Sequence, residues 1–402
     1  MSGTDPGTGR DSGAEGLAGP SGRAEDEIVG KVRSGEAWRE FCALLEQAGE
    51  VILADRHPDG ALDRAEGFRM LTRLLRGALE SNLEWADPDR PALICTCHET
   101  IKIVAENPDN LYLGARISGD RDYRLSGTRG EARWLSLNTF GGGGFGGGGR
   151  GTGTTLHEHE IEVAEDGAFE VVLSADDPGP GVNWLRLEPD SRSLTIRQTF
   201  VDKANQVPAA LSLERIERGV AVTMGPPGPL DPRHLYRALL TAGHYVAAVA
   251  GIGADWAARQ AEHPNVFADV QEDDTRAFKD PQITWHQAYF DLGADEALVI
   301  EFTPPECEYW MIGLHNHWME TLDYRYHQVA LNGGTAEVGA DGFVRCVVAG
   351  RDPGVPNWLD TAGHVVGTVG VRWVGDSVPE SGAPGDVVPT TRVMAVAEIG
   401  AL

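Results

Sequence analysis

The sequence predicts an α+β fold, mainly β, in which two related β units are joined by a helical segment and preceded by a helical cap. A passage that begins at Asp166, DGAFEVVLSADDPGPGVNWL, is repeated in its main parts from Asp341 as DGFVRCVVAGRDPGVPNWL. Short apolar runs separated by turn residues surround both passages, as expected for strands. Apolar residues at helical spacing precede the first copy and separate the two copies.

The repeat extends beyond these two passages. Each copy is preceded by an apolar aromatic run, ARWLSLNTF from Ala132 and YWMIGLHNHW from Tyr309. Each copy also continues to an arginine within a strand-like run, Arg197 in the first and Arg372 in the second. Parts that recur in the same order indicate an internal duplication, so we expect two copies with similar sheets.

The N-terminal part divides into a tail and a helical region. Residues 1–24 are mainly Gly, Ser, Pro and acidic residues with little to bury, which predicts a disordered tail. Residues 25–90 contain two helical patterns, from Asp26 to Leu53 and from Leu62 to Ala86. We expect these helices to form a small cap.

The first β-sandwich unit is predicted over residues 91–224 and the second over residues 281–402. Within the first unit, a glycine-rich stretch runs from Gly141 to Gly153. A phosphate-binding loop needs a helix after it and a nearby lysine, whereas a strand pattern without lysine follows here. The stretch therefore favours a flexible flap or a hairpin insertion.

A helical linker over residues 225–280 separates the units. After a proline-rich turn, Asp231 is placed as the N-cap and Pro232 as the first residue of a helix. We expect Gly251 and Gly253 to interrupt this helix before a second, shorter one.

Composition restricts the classes of partner. With 34 basic and 61 acidic residues, the formal net charge is -27, which disfavours nucleic acid and anionic membrane surfaces as partners. No run approaches the roughly 20 apolar residues of a membrane span, and the N-terminus has no apolar core of a secretion signal. The five cysteines are scattered, as expected where thiols stay reduced. We therefore expect a cytoplasmic protein.

The passage from Tyr309 to His327 concentrates titratable and aromatic side chains, and it supplies the predicted site. Histidine exchanges protons near neutral pH, carboxylates orient it, arginine holds an anion, and aromatic rings form a wall for an apolar or sugar ring. The predicted catalytic residues are His315, Glu320, Asp323, Arg325 and His327. The predicted substrate-binding residues are Trp310, Asn316, Trp318, Tyr324 and Tyr326. The same side chains at strand spacing are also typical of a core, and Asp323 with Arg325 of a simple ion pair.

Two pairs of histidines are candidate metal ligands. Residues two apart on a strand share a face, so His315 with His317, and His157 with His159, would point together. The alternative for the second pair is an exposed, charged edge strand. Glu320 stands one position too close to His317 for the usual pattern of cupin barrels, and Cys95 and Cys97 lack a second pair of ligands at zinc-site spacing. No cofactor is firmly implied, although a divalent metal stays an alternative.

Several segments resemble the bacterial domain-of-unknown-function family twelve-fourteen. They are ENPDNLYLGARISGDRDYRL, DGAFEVVLS with NWLRL, EFTPPECEYW, NHWMETLDYRYH and DPGVPNWLDTAGH. The resemblance covers most of residues 100 to 375, and the paired NWL segments are its most specific part. It implies a β-sandwich of the jelly-roll type and brings no settled activity.

The sequence leaves two main hypotheses for function. The first is an enzyme, such as a hydrolase, lyase or isomerase, that uses acid/base chemistry on a hydroxylated, partly apolar small molecule or sugar without a nucleotide cofactor. The alternative is a non-catalytic protein that binds carbohydrate or another small molecule, with two sites or one shared cleft. A third alternative is a scaffold within a homo-oligomer, for which the sequence offers only the sandwich edges.

Overall fold

The computed structural model describes residues 20–141, 152–268, 280 and 282–401. Most of the predicted disordered tail and most of the glycine-rich stretch lie outside the described residues. The first helix begins at Pro20, within the segment that was expected to be disordered.

Four α-helices are present among the described residues. They are α1 (Pro20–Ser34), α2 (Glu36–Leu53), α3 (Ala61–Leu79), which continues into a π-helical turn (Glu80–Glu84), and α4 (Pro232–Gln260). Asp231 caps α4 as predicted, because its side chain accepts a hydrogen bond from the Arg233 N–H at 2.9 Å.

The predicted break in the linker helix was wrong, since α4 is continuous across both glycines. Gly253 has a packing role instead. A Cβ atom there would lie only 3.2 Å from the Trp318 carbonyl oxygen, so glycine lets the helix approach the second unit closely.

The first unit contains two five-stranded sheets. Its strands are β1 (Ile94–Cys97), β2 (Asn110–Arg116), β3 (Asp122–Thr128), β4 (Trp134–Phe140), β5 (Thr152–His157), β6 (Ala168–Ser174), β7 (Trp184–Arg186), β8 (Ser193–Thr199), β9 (Ala210–Glu217) and β10 (Val220–Ala221). The strand orders are β1-β2-β8-β4-β5 and β10-β9-β3-β6-β7.

The second unit repeats this arrangement. Its strands are β11 (Phe267–Ala268), β12 (Ile283–Asp291), β13 (Glu296–Phe302), β14 (Tyr309–His315), β15 (Ala330–Asn332), β16 (Val344–Ala349), β17 (Trp358–Asp360), β18 (Val366–Val374) and β19 (Thr390–Ala395). The order β11-β12-β18-β14-β15 matches β1-β2-β8-β4-β5 strand by strand, and the four-stranded order β19-β13-β16-β17 matches β9-β3-β6-β7, with no counterpart of β10 among the described residues. The fold therefore consists of two related jelly-roll-like β-sandwich units, which confirms the predicted fold class.

Equivalent residues repeat the same local bonds in the two units. The Asn183 side chain bonds the backbone of Glu162 through both its oxygen and its nitrogen, and Asn357 bonds the backbone of Glu337 in the same way. Gly167 and Gly342, in the two Asp-Gly turns, have φ angles of 84° and 85°. The asparagine of each NWL segment thus ties that segment to backbone about 20 residues earlier in the same unit.

Each sandwich has an apolar core between its two sheets, while the helices form a further layer. The helical core includes Ile52, Leu74 and Val246, and it also takes up Trp318 from the second unit. Equivalent residues of the two units, Trp134 and Tyr309, belong to one apolar cluster where the units meet. No helix in the described ranges is long and apolar enough to cross a membrane.

Candidate functional site

A cavity of about 800 Å³ lies where the first unit, the second unit and the helices meet. Strands β1, β2, β4 and β8 contribute residues to it, as do α3, α4 and the segment that links β1 to β2. The second unit contributes residues of β12 and β18. Its size is in the range of small-molecule sites.

The floor of the cavity is the outer face of the β1-β2-β8-β4-β5 sheet. Successive side chains of a strand point to opposite faces, so Ile196 of β8 enters the sandwich core while Thr195 and Arg197 line the cavity. On the neighbouring strand β2, Tyr112 and Arg116 line the cavity. The sheet is thus apolar on its core side and partly polar on the cavity side.

The opposite walls are largely apolar. They include Leu74 and Ala78 of α3, Trp85, and Ile101 and Val104 of the segment after β1. Apolar walls combined with a few polar groups are typical of sites that bind small organic molecules.

Arg197 of the first unit and Arg372 of the second both line the cavity. Arg197 donates a hydrogen bond to the Asn138 side-chain oxygen, and Arg372 donates to the Ala105 carbonyl oxygen. Burial lowers the pKa of Arg372, although Tyr112, Tyr309 and Glu106 act to raise it, and the charge of Arg197 adds a smaller lowering effect. Among the described residues, neither guanidinium has a carboxylate within 4.0 Å, so both bond only neutral groups.

Each of these arginines lies next to an aromatic residue on the neighbouring strand. Arg197 pairs in register with Tyr112, and Arg372 pairs with Trp285. The Arg372 guanidinium lies 4.7 Å from the centroid of the Trp285 ring. The Nε1 atoms of Trp285 and Trp134 are buried and have no hydrogen-bond partner. The cavity wall therefore contains unused donors as well as positive charge.

Glu106 is the most strongly perturbed carboxyl group on the cavity wall. Burial raises its pKa to about 7, although the nearby Lys102 ammonium opposes this shift. Its Oε2 atom accepts a hydrogen bond from the Thr321 N–H at 3.3 Å. Its Oε1 atom has no hydrogen-bond partner and lies 3.8 Å from Lys102 Nζ. A buried carboxyl with such a pKa exchanges its proton near neutral pH.

None of the ten residues predicted to form the site lines this cavity. The prediction that His315 and His317 lie on one strand was wrong, because β14 ends at His315. The Asn316 side-chain oxygen accepts hydrogen bonds from the N–H groups of Trp318 and Glu320, and Met319 has a φ angle of 59°. These features form a tight turn, so His315 and His317 do not share a strand face.

The turn after β14 fastens the second unit to the helical cap. Glu320 forms a buried ion pair with Arg73 of α3 at 2.9 Å, and Asn316 donates to Glu66 of α3 at 2.8 Å. Trp318 donates through Nε1 to the Asp63 carbonyl oxygen at 2.6 Å. These three side chains, which were predicted to act on a substrate, hold two layers of the fold together.

His315 and His317 are buried and neutral. Burial lowers the pKa of His315 and of His317 to about 3. His315 lies 3.2 Å from the Thr368 hydroxyl, whereas His317 bonds His57 of the cap and the Tyr289 hydroxyl, both at 3.0 Å. Neither group exchanges protons near neutral pH in this environment.

The remaining predicted residues are dispersed. Asp323 and Arg325 form an ion pair at 2.7 Å, and His327 lies 2.7 Å from Asp360. Tyr326 is 78% exposed. Trp310 belongs to the core of the second sandwich, and Tyr324 lies beneath the Lys102 ammonium.

The second histidine pair is also not arranged on one strand face. Strand β5 ends at His157, which is buried rather than on an exposed edge and lies 2.8 Å from Asp280. His159 lies 3.2 Å from Asp376. The described part of the chain contains no group of three or more His, Cys, Asp or Glu side chains placed to hold a metal ion, and Cys95 and Cys97 are free thiols.

Glu106, Arg197 and Arg372 were not among the residues predicted to form the site. Glu106 begins the ENPDN segment, which reads as a turn between strands, and its burial depends on residues far along the chain. The sequence did distinguish Arg197 and Arg372 from other arginines, because they occur at the same place in both copies of the repeat.

Comparisons with known proteins place this chain among uncharacterised relatives. The family model described as protein of unknown function (DUF1214) matches residues 112–199, which span β2 to β8. No curated protein matches the chain at a significant level.

Two solved structures match most of the chain. The crystal structure of an uncharacterized protein from Burkholderia cenocepacia is 42% identical, with a TM-score of 0.84, and the match covers 91% of this chain and 99% of that chain. The VPA0106 protein from Vibrio parahaemolyticus is 12% identical with a TM-score of 0.47, and the match covers 88% of this chain and 99% of that chain. The chain therefore belongs to the DUF1214 family of proteins of unknown function.

Proposed function

We propose that this protein binds a partly apolar small molecule in the cavity between its two sandwich units. The observation that carries the proposal is the cavity itself, about 800 Å³ in volume, with apolar helical walls opposite a partly polar sheet face. A sheet that only had to pack against the helices would present an apolar outer face. Here that face carries Tyr112, Thr195 and Arg197 instead.

The shared position of the cavity supports one site per chain. Residues from both units and from the helices line it, so the duplication supplies two halves of one cleft. Such a site exists only when the units and helices are assembled, which explains why no short motif encodes it.

The proposal is tested with prodan, a neutral naphthalene dye whose emission shifts when it leaves water. The Thr195→Trp variant places a large side chain on the cavity floor, whereas Ser126→Trp adds the same side chain on β3, outside the cavity. We expect the wild type and Ser126→Trp to bind the dye with similar affinity and Thr195→Trp to bind it at least tenfold more weakly. Equal binding by all three folded proteins would refute the proposal.

Glu106 favours a second candidate function, an enzyme that uses acid/base chemistry on the bound molecule. A general acid or base works best with a pKa near the working pH, and Glu106 lies on the cavity wall with a pKa of about 7. Once a ligand is found, its turnover by wild type and by Glu106→Gln decides this candidate. If Glu106→Gln binds the ligand but no longer turns it over, the result supports catalysis by Glu106. If the wild type does not turn the ligand over, only the binding function remains.

A further inference from the structure

Among the described residues, Arg197 and Arg372 have no carboxylate within 4.0 Å. Arg197 bonds the Asn138 amide oxygen, and Arg372 bonds a backbone carbonyl oxygen and approaches the Met311 sulfur at 3.9 Å. A guanidinium group removed from bulk water is costly unless an opposite charge is near. Arginine also presents several N–H donors in one plane, which matches the geometry of carboxylate and phosphate oxygens.

The acidic side chains at the cavity act on the two guanidinium groups only from beyond 4.0 Å, Glu106 on Arg372 and Asp280 on Arg197. Asp280 bonds His157, Glu380 is exposed, and Glu106 has its unpaired oxygen 3.8 Å from Lys102. Two further arginines, Arg116 and Arg192, also line the cavity. In a chain with a formal net charge of -27, this concentration of positive charge at one cavity needs a local reason.

The two guanidinium groups face the same space from different units. Arg197 is on β8 and Arg372 on β18, each the middle strand of its sheet. Like charges repel one another, and the charge of Arg197 contributes to lowering the pKa of Arg372. An anion bound between them would relieve this repulsion.

We propose that Arg197 and Arg372 bind an oxyanion, and that the ligand of the cavity is a partly apolar molecule with a carboxylate or phosphate group. This inference rests on the proposed binding function and adds the chemical class of the ligand. The aromatic residues next to the arginines, Tyr112 and Trp285, would contact the apolar part close to the charged group.

The test compares three probes that share one ring system: 2-naphthoate, 2-naphthyl phosphate and the neutral 2-naphthamide. Their dissociation constants are measured for the wild type, for Arg197→Gln, for Arg372→Gln and for the double variant. Arg351→Gln is the matched control, because Arg351 is exposed, contacts Asp295 and lies outside the cavity. Prodan binding checks that the cavity of each variant is intact.

We expect the wild type and Arg351→Gln to bind one of the two anions at least tenfold more tightly than 2-naphthamide. Each arginine variant should reduce this preference about tenfold or more while 2-naphthamide and prodan bind as before. The better of the two anions identifies whether carboxylate or phosphate is the natural group. If a glutamine variant loses its cavity, Arg197→Lys and Arg372→Lys, which keep the charge, should retain part of the preference.

Two outcomes would overturn the inference. One is a wild type that binds prodan but does not prefer either anion to 2-naphthamide. The other is a double variant that keeps the full preference. A wild type that binds neither prodan nor any naphthalene probe refutes the binding function itself, so the two failures are distinguishable.

Discussion

Arg197 and Arg372 occupy equivalent positions on the middle strands of two duplicated sheets and line one cavity. Duplication usually produces two separate copies of a surface. Here the outer faces of the equivalent sheets lie near each other beneath the helices, so the two copies of one arginine contribute to a single site. This arrangement makes the cavity depend on the contacts that hold the units and the cap together.

Glu106 should make the stability of the protein depend on pH. Its pKa is about 7 in the folded protein and 4.5 in the unfolded chain, so folding favours the protonated carboxyl. The resulting contribution to the free energy of unfolding is fully present below pH 4.5 and is lost as the pH rises through 7. Glu106→Gln removes this titration. Urea unfolding measures the free energy of unfolding of both proteins. We expect the variant to be more stable than the wild type by about 2 to 3 kcal/mol at pH 8, and the two proteins to be equally stable at pH 4.5. A constant difference between the two proteins from pH 4.5 to 8 would contradict the assignment.

The ion pair between Arg73 and Glu320 should be a major contact between the cap and the second unit. Both side chains are buried, so Arg73→Met leaves the Glu320 carboxylate without its partner. We expect a loss of about 3 to 5 kcal/mol in the free energy of unfolding. The double variant Arg73→Met/Glu320→Met should lose clearly less than the sum of the two single changes. Additive losses in this double-mutant cycle would show that the two charges are not coupled.

A second contact, between Glu66 of α3 and His364, should strengthen at mildly acidic pH. Burial alone would lower the pKa of His364, but the hydrogen bond and charge of Glu66 outweigh burial and raise it. The stabilisation is present below the unfolded pKa of 6.5 and is lost as the pH rises through the folded value. We expect Glu66→Gln to cost about 2 kcal/mol at pH 6 and less at pH 9. Thermal unfolding checks this, with the exposed Glu46→Gln as a control, and an equal loss at both pH values would contradict it.

The two NWL asparagines should differ in their contribution to stability although they make the same bonds. Asn357 is 9% exposed and has a φ angle of 58°, which an alanine adopts with strain, whereas Asn183 is more exposed. We expect Asn357→Ala to cost about 2 to 3 kcal/mol and Asn183→Ala about 1 kcal/mol by urea unfolding.

Asn357→Gly separates the two causes, because glycine tolerates the φ angle and loses only the side-chain bonds. It should therefore be more stable than Asn357→Ala. Equal losses for Asn183→Ala and Asn357→Ala would mean that burial and backbone conformation do not matter at these turns.

Local patterns were sufficient to predict most of the architecture. The repeated Asp-Gly turn, the apolar strand and the NWL segment led to two related β units, because strand alternation and turn residues act over a few neighbouring positions. The cap of α4 at Asp231 was predicted for the same reason, since capping depends on one side chain and the backbone two residues later. The duplicated arginines were visible in the sequence, but their shared cavity was not.

The site depended on contacts between residues far apart in the chain. His315, His317 and Glu320 have side chains typical of catalysis, yet Thr368, His57 and Arg73 surround them with hydrogen bonds and bury them away from the cavity. Glu106 shows the reverse case, a residue that was not predicted but lines the cavity. It belongs to an ordinary turn, and its pKa rises to about 7 only because residues of the second unit bury it. The burial of a side chain depends on how the layers pack together, and burial sets the free energy of its charged form. The sequence therefore specified the strands and helices, whereas packing between the layers selected which of the polar side chains line the cavity.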